Sequence, residues 1–161
     1  MTLAPTRQLV ADAVARGRAV PAFNVITLEQ AEAVVGGAED AGLGALLQVS
    51  ENAVAFRGGF APLLAACREL ALAATVPIGL HLDHLEDATL ARAVVGRSAE
   101  LGVGSLMFDR ATLPYAENVE LTAGIAAEAH GAGLMVEGEL GGRAAGGRRS
   151  GAPSGRRTTT P

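Results

Sequence analysis

The apolar positions of this chain switch repeatedly between helical spacing and short continuous runs. Residues 6–17, TRQLVADAVARG, put Leu9, Val10, Ala13 and Val14 on one helical face, and Gly17 can end that helix. AVPAFNV (19–25) reads as a short strand. The segment 27–42 opens with Thr27 and Gln30 in capping-box spacing and closes at Gly42, with Gly36 and Gly37 weakening the middle of the predicted helix. ALLQVS (45–50), bounded by Gly44 and polar residues, is a second strand, and residues 61–74 form another apolar helix. VPIGLHLD (76–83) is the third strand, followed by a helix over 86–101 that ends at Gly102. GSLMFD (104–109) is the fourth strand. A helix over 114–130 has Pro114 in its first turn and Gly131 after its end, and GLMVEGEL (133–140) is the fifth strand.

Each strand-plus-helix unit takes about 30 residues, the size of a βαβ unit. The strands are near-continuous apolar runs, as expected when both faces of a sheet are covered. The alternation predicts a parallel α/β architecture, in which ligands sit at the carboxyl ends of the strands. Polar residues collect at those ends: Asn24, Ser50, Asp83 with His84, Asp109, and Glu137 with Glu139. Most are types that can bind a metal ion, which points to a site rather than to ordinary solvated loop starts.

Composition narrows the chemistry. At 161 residues the chain is long enough for one domain with a core, and scarce aromatics leave Ala, Val, Leu and Gly to fill it. The net charge of −4 gives no reason to expect nucleic acid or an anionic membrane as partner. Cys67 has no second cysteine to pair with and sits in an Ala/Leu-rich segment, as a small core residue would. No signal peptide or membrane-spanning run is visible, so the expected location is the cytoplasm. All thirteen basic residues are arginine, which closes lysine Schiff-base chemistry to this chain.

The character changes after Glu139. GGRAAGGRRSGAPSGRRTTTP has five arginines, no acid and no aliphatic side chain larger than Ala and Pro. The body up to Glu139 holds all seventeen acids against eight arginines, a balance of −9. We read 1–142 as the folded domain and 143–161 as a disordered Arg/Gly-rich tail. A basic arm for nucleic acid and an ordinary solvated tail are the competing readings. The preferred one is a shifted reading frame in a GC-rich gene, in which case a one-base correction upstream of residue 145 restores an acidic, apolar-patterned continuation.

The densest chemistry lies in IGLHLDHLED (78–87), which holds two of the three histidines and three acids. His81 falls on the Asp83 side of the strand and reads as a hydrogen-bonded interior histidine. In an extended strand Asp83 and His84 point to opposite faces. Both serve one site only if the strand ends there and His84 begins the turn. His130 sits at a helix end and needs no further role. Glu137 reads as a support to the site or an internal polar residue. Glu86 and Asp87 read as caps of the following helix.

The blocks VPAFNV, LLQVSENAVAFRGGF, VPIGLHLDH, SLMFD, LPYAENV and VEGELGG, taken in order from about residue 3 to residue 142, resemble the class II, metal-dependent ketose-bisphosphate aldolases. Fructose-1,6-bisphosphate aldolases are the main members of that family, with tagatose-bisphosphate aldolases close by. The resemblance implies five N-terminal βα units of a (β/α)₈ TIM barrel, incomplete, with full-length members forming homo-oligomers. It implies zinc as cofactor and a sugar bisphosphate as substrate. Position by position, Asp83 matches the catalytic acid/base that handles the proton of the C4 hydroxyl, and His84 matches a zinc ligand. Asp109 and Glu139 match acidic metal-site residues, while Asn24 and Ser50 resemble positions lining the substrate side of the barrel mouth.

Two departures from the family stand out. Leu85 occupies a position usually held by Gly, and Arg110 with Ala111 replaces a small Gly/Ala–Ser pair. The family also uses two further zinc histidines, a phosphate-binding glycine loop and a glutamate on a mobile loop, all beyond the fifth strand. The resemblance therefore implies an aldolase fragment inactive by itself. The alternative is a non-catalytic half-barrel that covers its edges by associating with itself or another chain. A different metal-dependent α/β enzyme, such as a phosphoesterase, would want more metal ligands than this chain supplies.

Overall fold

A computed structural model describes residues 2–140; the predicted tail over 143–161 lies outside the described residues. The elements run α1 (Thr6–Ala15), β1 (Ala22–Asn24), α2 (Leu28–Ala41), β2 (Ala45–Ser50), α3 (Glu51–Arg57), α4 (Ala61–Ala73), β3 (Ile78–Leu85), α5 (Ala88–Leu101), β4 (Val103–Phe108), α6 (Tyr115–Gly131) and β5 (Met135–Gly138). All four strand pairings are parallel, and the five strands lie in sequence order, β1-β2-β3-β4-β5. A doubly wound sheet reverses its strand order at a switch point; this one never does. Its helices therefore follow one another around one side of a singly wound sheet, as in a TIM barrel.

Local chemistry explains most of the element ends. Thr27 and Gln30 form a reciprocal capping box at the start of α2, and Gly42 closes it in the left-handed region. Asp87 caps α5 by accepting from Thr89 N, so the helix starts two residues later than the sequence pattern suggests, and Glu86 stays outside it. Pro114 is the residue before α6 rather than part of its first turn. The sequence reading missed α3. Its residues, ENAVAFR, follow β2 without a glycine or proline break, and the Ser50 side chain caps it by accepting from Ala53 N.

The sheet has two unlike faces. Leu47, Leu80, Leu82, Leu106 and Phe108 point to the helix layer, where they are fully buried with Leu64 and Cys67. Each such side chain contributes about 1.5–3 kcal/mol. The other face is the inner one. Its base is plugged by α1 and the segment before it, where Leu9 and Ala4 pack on Leu46. The N-terminal segment is held by Ile78 N to Thr2 O and Ala4 N to Ile78 O, at 2.7 and 2.9 Å. Gly79 and Gly104 make that plug possible. A Cβ at Gly79 would lie 2.6 Å from Leu46 Cδ2, and one at Gly104 would lie 2.8 Å from both N and Oγ1 of Thr6.

Above the plug the inner face turns polar. Asn24, Gln48, His81 and Ser105 stand in register across β1 to β4, one row of four side chains at the same height. Such layers fill the interior of TIM barrels. Apolar runs with single polar interruptions thus encode a sheet whose outer face is oily and whose inner face leads to a site.

Candidate metal centre

Asp83 lies one layer above the polar row, in register with Ser50. It is only 7% exposed, yet its carboxylate is well supplied: Gln48 Nε2 donates to Oδ2 at 2.8 Å and also to Asn24 Oδ1 at 2.9 Å. Two acceptors facing one amide require its NH₂ end, so Gln48 links Asn24 to Asp83.

The third strand does not end at Asp83, as the sequence reading requires; it runs on to Leu85. The register against β4 slips between Leu82 and Leu85, and His84 takes φ = 49°. It is the only non-glycine residue with positive φ among the described residues. A bulge with a left-handed residue re-aims a side chain that strict alternation would send to the opposite face. His84 thereby reaches the rim where the neighbouring strands end.

Asp109 follows β4 directly. Its N–H donates to Leu85 O at 2.9 Å, and its Oδ1 accepts from Ala111 N at 3.0 Å. Glu139 follows β5, and its carbonyl accepts from the buried Asn118 Nδ2 at 2.8 Å, while Thr122 Oγ1 donates to Asn118 Oδ1 at 2.9 Å. At the rim His84 Nδ1 lies 3.0 Å from Asp109 Oδ2 and 3.5 Å from Glu139 Oε2, and Nε2 is 3.9 Å from Asp83 Oδ1. One ligand atom from each of His84, Asp109 and Glu139 falls within 4.8 Å of the others. An imidazole and two carboxylates so close form a donor set that suits zinc or a similar divalent cation.

The electrostatics follow from these contacts. The Asp109 hydrogen bond, helped by the charges of Asp83, Asp109 and Glu139, holds His84 above the usual imidazole range against a smaller desolvation effect. Burial pushes Asp109 upward, but the Ala111 N–H and His84 outweigh it and leave that carboxyl below its ordinary value. His84 is half exposed and Asp109 less so, which leaves the cluster open on the solvent side.

The other predicted residues take various places. Asn24 joins the polar row through Gln48, whereas the Ser50 hydroxyl is engaged in capping α3. His81 is buried, with Nδ1 2.7 Å from Ser105 Oγ. Glu137 is exposed on β5 and lines the inner cavity with Gln48 and His81. Cys67 is buried in the helix layer, and burial lifts its thiol to about 11. His130 is exposed in the last turn of α6.

Sequence reasoning missed Gln48, Glu51 and Asn118. Gln48 was signalled only as one amide inside the apolar run ALLQVS. Glu51 accepts from the backbone N–H groups of Glu86 and Asp87 at 2.6 and 3.1 Å, and Arg110 Nη1 donates to Glu86 O at 2.7 Å, so both fix the loop after β3. Asn118 looks like any helical polar residue until its helix is docked.

The family described as fructose-bisphosphate aldolase class-II matches residues 4–161. The chain belongs to that family. A fructose-bisphosphate aldolase of Geobacillus stearothermophilus is 32% identical over 143 residues, covering 88% of this chain and 48% of that protein. A 6-phospho-5-dehydro-2-deoxy-D-gluconate aldolase of Shouchella clausii is 34% identical over 143 residues, with 88% and 47% covered. The crystal structure of the YdjI aldolase from Escherichia coli K12 superposes with a TM-score of 0.74 at 28% identity, covering 86% of this chain and 52% of that one. The chain spans about half the length of the curated relatives it matches. The two named relatives carry different substrates in their names.

Proposed function

We propose that this chain carries the acid/base aspartate and one side of the cation-binding rim of a class II aldolase. The reaction is reversible aldol cleavage of a ketose bisphosphate, with fructose 1,6-bisphosphate giving dihydroxyacetone phosphate and glyceraldehyde 3-phosphate. The supporting observation is the convergence of His84, Asp109 and Glu139 within 4.8 Å beside Asp83.

His84, Asp109 and Glu139 are the residues of this chain that would hold the cation. When bound, zinc supplies Lewis acidity to the substrate's carbonyl and adjacent hydroxyl oxygens. In the cleavage direction the Asp83 carboxylate takes the C4 hydroxyl proton as the C3–C4 bond breaks. The bonding pair leaves as an enediolate, and the aldehyde carbonyl forms at C4. In the reverse direction Asp83 returns that proton to the new C4 alkoxide. Gln48 keeps one carboxylate oxygen occupied, which leaves Oδ1 for this work. Asn24 and Ser50 line the substrate side of the rim.

The 161-residue chain by itself is proposed to be inactive. Its one rim imidazole falls short of the donor set a tight catalytic zinc site uses. A coupled aldolase assay with added zinc tests this. Turnover should not exceed background, and EDTA-sensitive activity would overturn the proposal.

A second reading is favoured by the surface of the first strand. Ala22, Phe23 and Asn24 are all exposed, and Phe23, Val34 and Leu43 line an apolar groove beside them. An open parallel edge flanked by apolar surface fits a non-catalytic half-barrel that associates with itself. Light scattering after size exclusion separates the two: a monomer with a cooperative melt counts against self-association.

A further inference from the structure

His84 reaches the rim in a backbone conformation that an L-residue does not choose by itself. Between the register pairs Leu82–Leu106 and Leu85–Phe108, the third strand fits Asp83 and His84 against Met107 alone, and His84 absorbs the extra residue at φ = 49°. A left-handed non-glycine residue costs about 1–2 kcal/mol and persists only where its surroundings hold it.

Those surroundings come from both neighbouring βα units. Upstream, Asp83 lies in register with Ser50 and takes Gln48 Nε2 on Oδ2 at 2.8 Å. Downstream, Leu85 is fully buried, and its carbonyl accepts from Asp109 N at 2.9 Å. Glu86 and Asp87 are exposed, yet their backbone is pinned from two directions. Glu51, the first residue of α3, takes both N–H groups on one oxygen, Oε2, at 2.6 and 3.1 Å. From the other side Arg110 Nη1 donates to Glu86 O at 2.7 Å, with its guanidinium carbon 5.9 Å from the centre of the Phe108 ring. Each of these contacts has one charged partner, which makes it stronger than a neutral hydrogen bond. His84 is thus the single residue between an anchored Asp83 and an anchored turn.

We propose that Glu51 and Arg110 are positioning residues for the cation rim: together they clamp the turn after β3 and so hold His84 left-handed, with its imidazole toward Asp109 and Glu139. Neither belongs to the ligand set. Without the clamp the backbone at His84 relaxes toward an extended conformation, in which strand alternation carries the ring away from the face that Asp83 takes. The consequence for cation binding rests on the rim proposed above. The consequence for the backbone does not.

Charge alone makes the opposite prediction for Arg110. A guanidinium next to Asp109 repels a cation at the rim, so removing only that charge would tighten zinc binding. Losing the clamp weakens it. Zinc affinity of the full chain, measured by competition with a chromophoric chelator, should fall roughly five- to thirtyfold in Glu51→Ala and in Arg110→Ala, the left-handed penalty converted at about tenfold per 1.4 kcal/mol. Glu51→Gln keeps an acceptor oxygen for the two N–H groups and should stay close to wild type. Glu39→Ala is the control. Glu39 Oε1 accepts from Thr75 N at 2.7 Å, a similar carboxylate-to-loop contact just before β3 begins, and its loss should leave zinc binding unchanged.

A second measurement needs no metal. In zinc-free chain the HN–Hα coupling and backbone shifts of residue 84 should move from left-handed toward extended values in the two alanine variants and not in Glu51→Gln, while the amide spectra stay those of a folded chain. Tighter zinc binding in Arg110→Ala, equal losses in Glu51→Gln and Glu51→Ala, or left-handed values kept at residue 84 in both alanine variants would each overturn the proposal. A wild-type chain that binds no zinc would sink the rim reading, and the backbone values would still decide the clamp.

Discussion

His84 and Asp109 are 25 residues apart in sequence, and their Nδ1 and Oδ2 atoms lie 3.0 Å apart at the carboxyl rim of the sheet. In metal-free chain this pair should be visible by NMR. The His84 ring should titrate above the ordinary histidine midpoint, because losing its proton weakens the contact with Asp109. Asp109→Asn should bring the midpoint down. An unchanged midpoint in that variant would assign the shift elsewhere.

Cation binding should draw on three strand ends at once. His84→Ala, Asp109→Ala and Glu139→Ala should each weaken zinc binding roughly tenfold or more, measured by competition with a chromophoric chelator. Glu137→Ala, on β5 two residues before Glu139, should change it far less. If Glu137→Ala matched Glu139→Ala, the ligand set would have to be redrawn.

Gln48 has a more local duty. Gln48→Leu removes the donor to Asp83 Oδ2 and leaves a nearly buried carboxylate short of a partner. The expected cost is about 1–3 kcal/mol in urea unfolding at neutral pH. Asp83→Asn in the same background should recover part of it, since a neutral side chain needs the donor less. Additive losses would argue against the contact.

The plug beneath the site can be tested through its glycines. A Cβ at Gly104 would lie 2.8 Å from the Thr6 backbone nitrogen, which a side chain cannot move aside. Gly104→Ala should destabilise the fold by about 1–3 kcal/mol and raise proteolysis within α1. Gly124→Ala, with nothing near its Cβ in the middle of α6, should be neutral or slightly stabilising.

Cys67 gives a pH signature. Burial raises its thiol to about 11 in the folded chain, while an unfolded thiol titrates near about 8.5. Above the lower value the unfolded state releases a proton that the folded state keeps. The contribution is therefore whole below about pH 8.5 and is lost as pH rises through the folded value. Urea unfolding of wild type and Cys67→Ala should converge between neutral pH and about pH 10.5. Parallel curves would mean that the thiol is already accessible.

Much of this protein was legible in one dimension. Apolar runs of strand length, separated by helical spacing with Gly42 and Gly102 as stops, specify parallel βα units, because each side chain's burial follows from its local period. Polar residues at the strand ends mark the functional rim for the same reason, and the blocks around His84 and Glu139 carry the family. Strand limits were less legible: the third strand runs two residues past the predicted end, and Asp109 and Glu139 lie just outside theirs. What the pattern could not express was anything set by a neighbouring strand. The slip that turns His84 to the rim arises in the ladder between β3 and β4, the amide of Gln48 matters only because β2 lies between β1 and β3, and Thr6 meets Ser105 across 99 residues. Local periodicity decides which face a side chain takes; only the register of separate strands, fixed by hydrogen bonds between them, decides what it touches there.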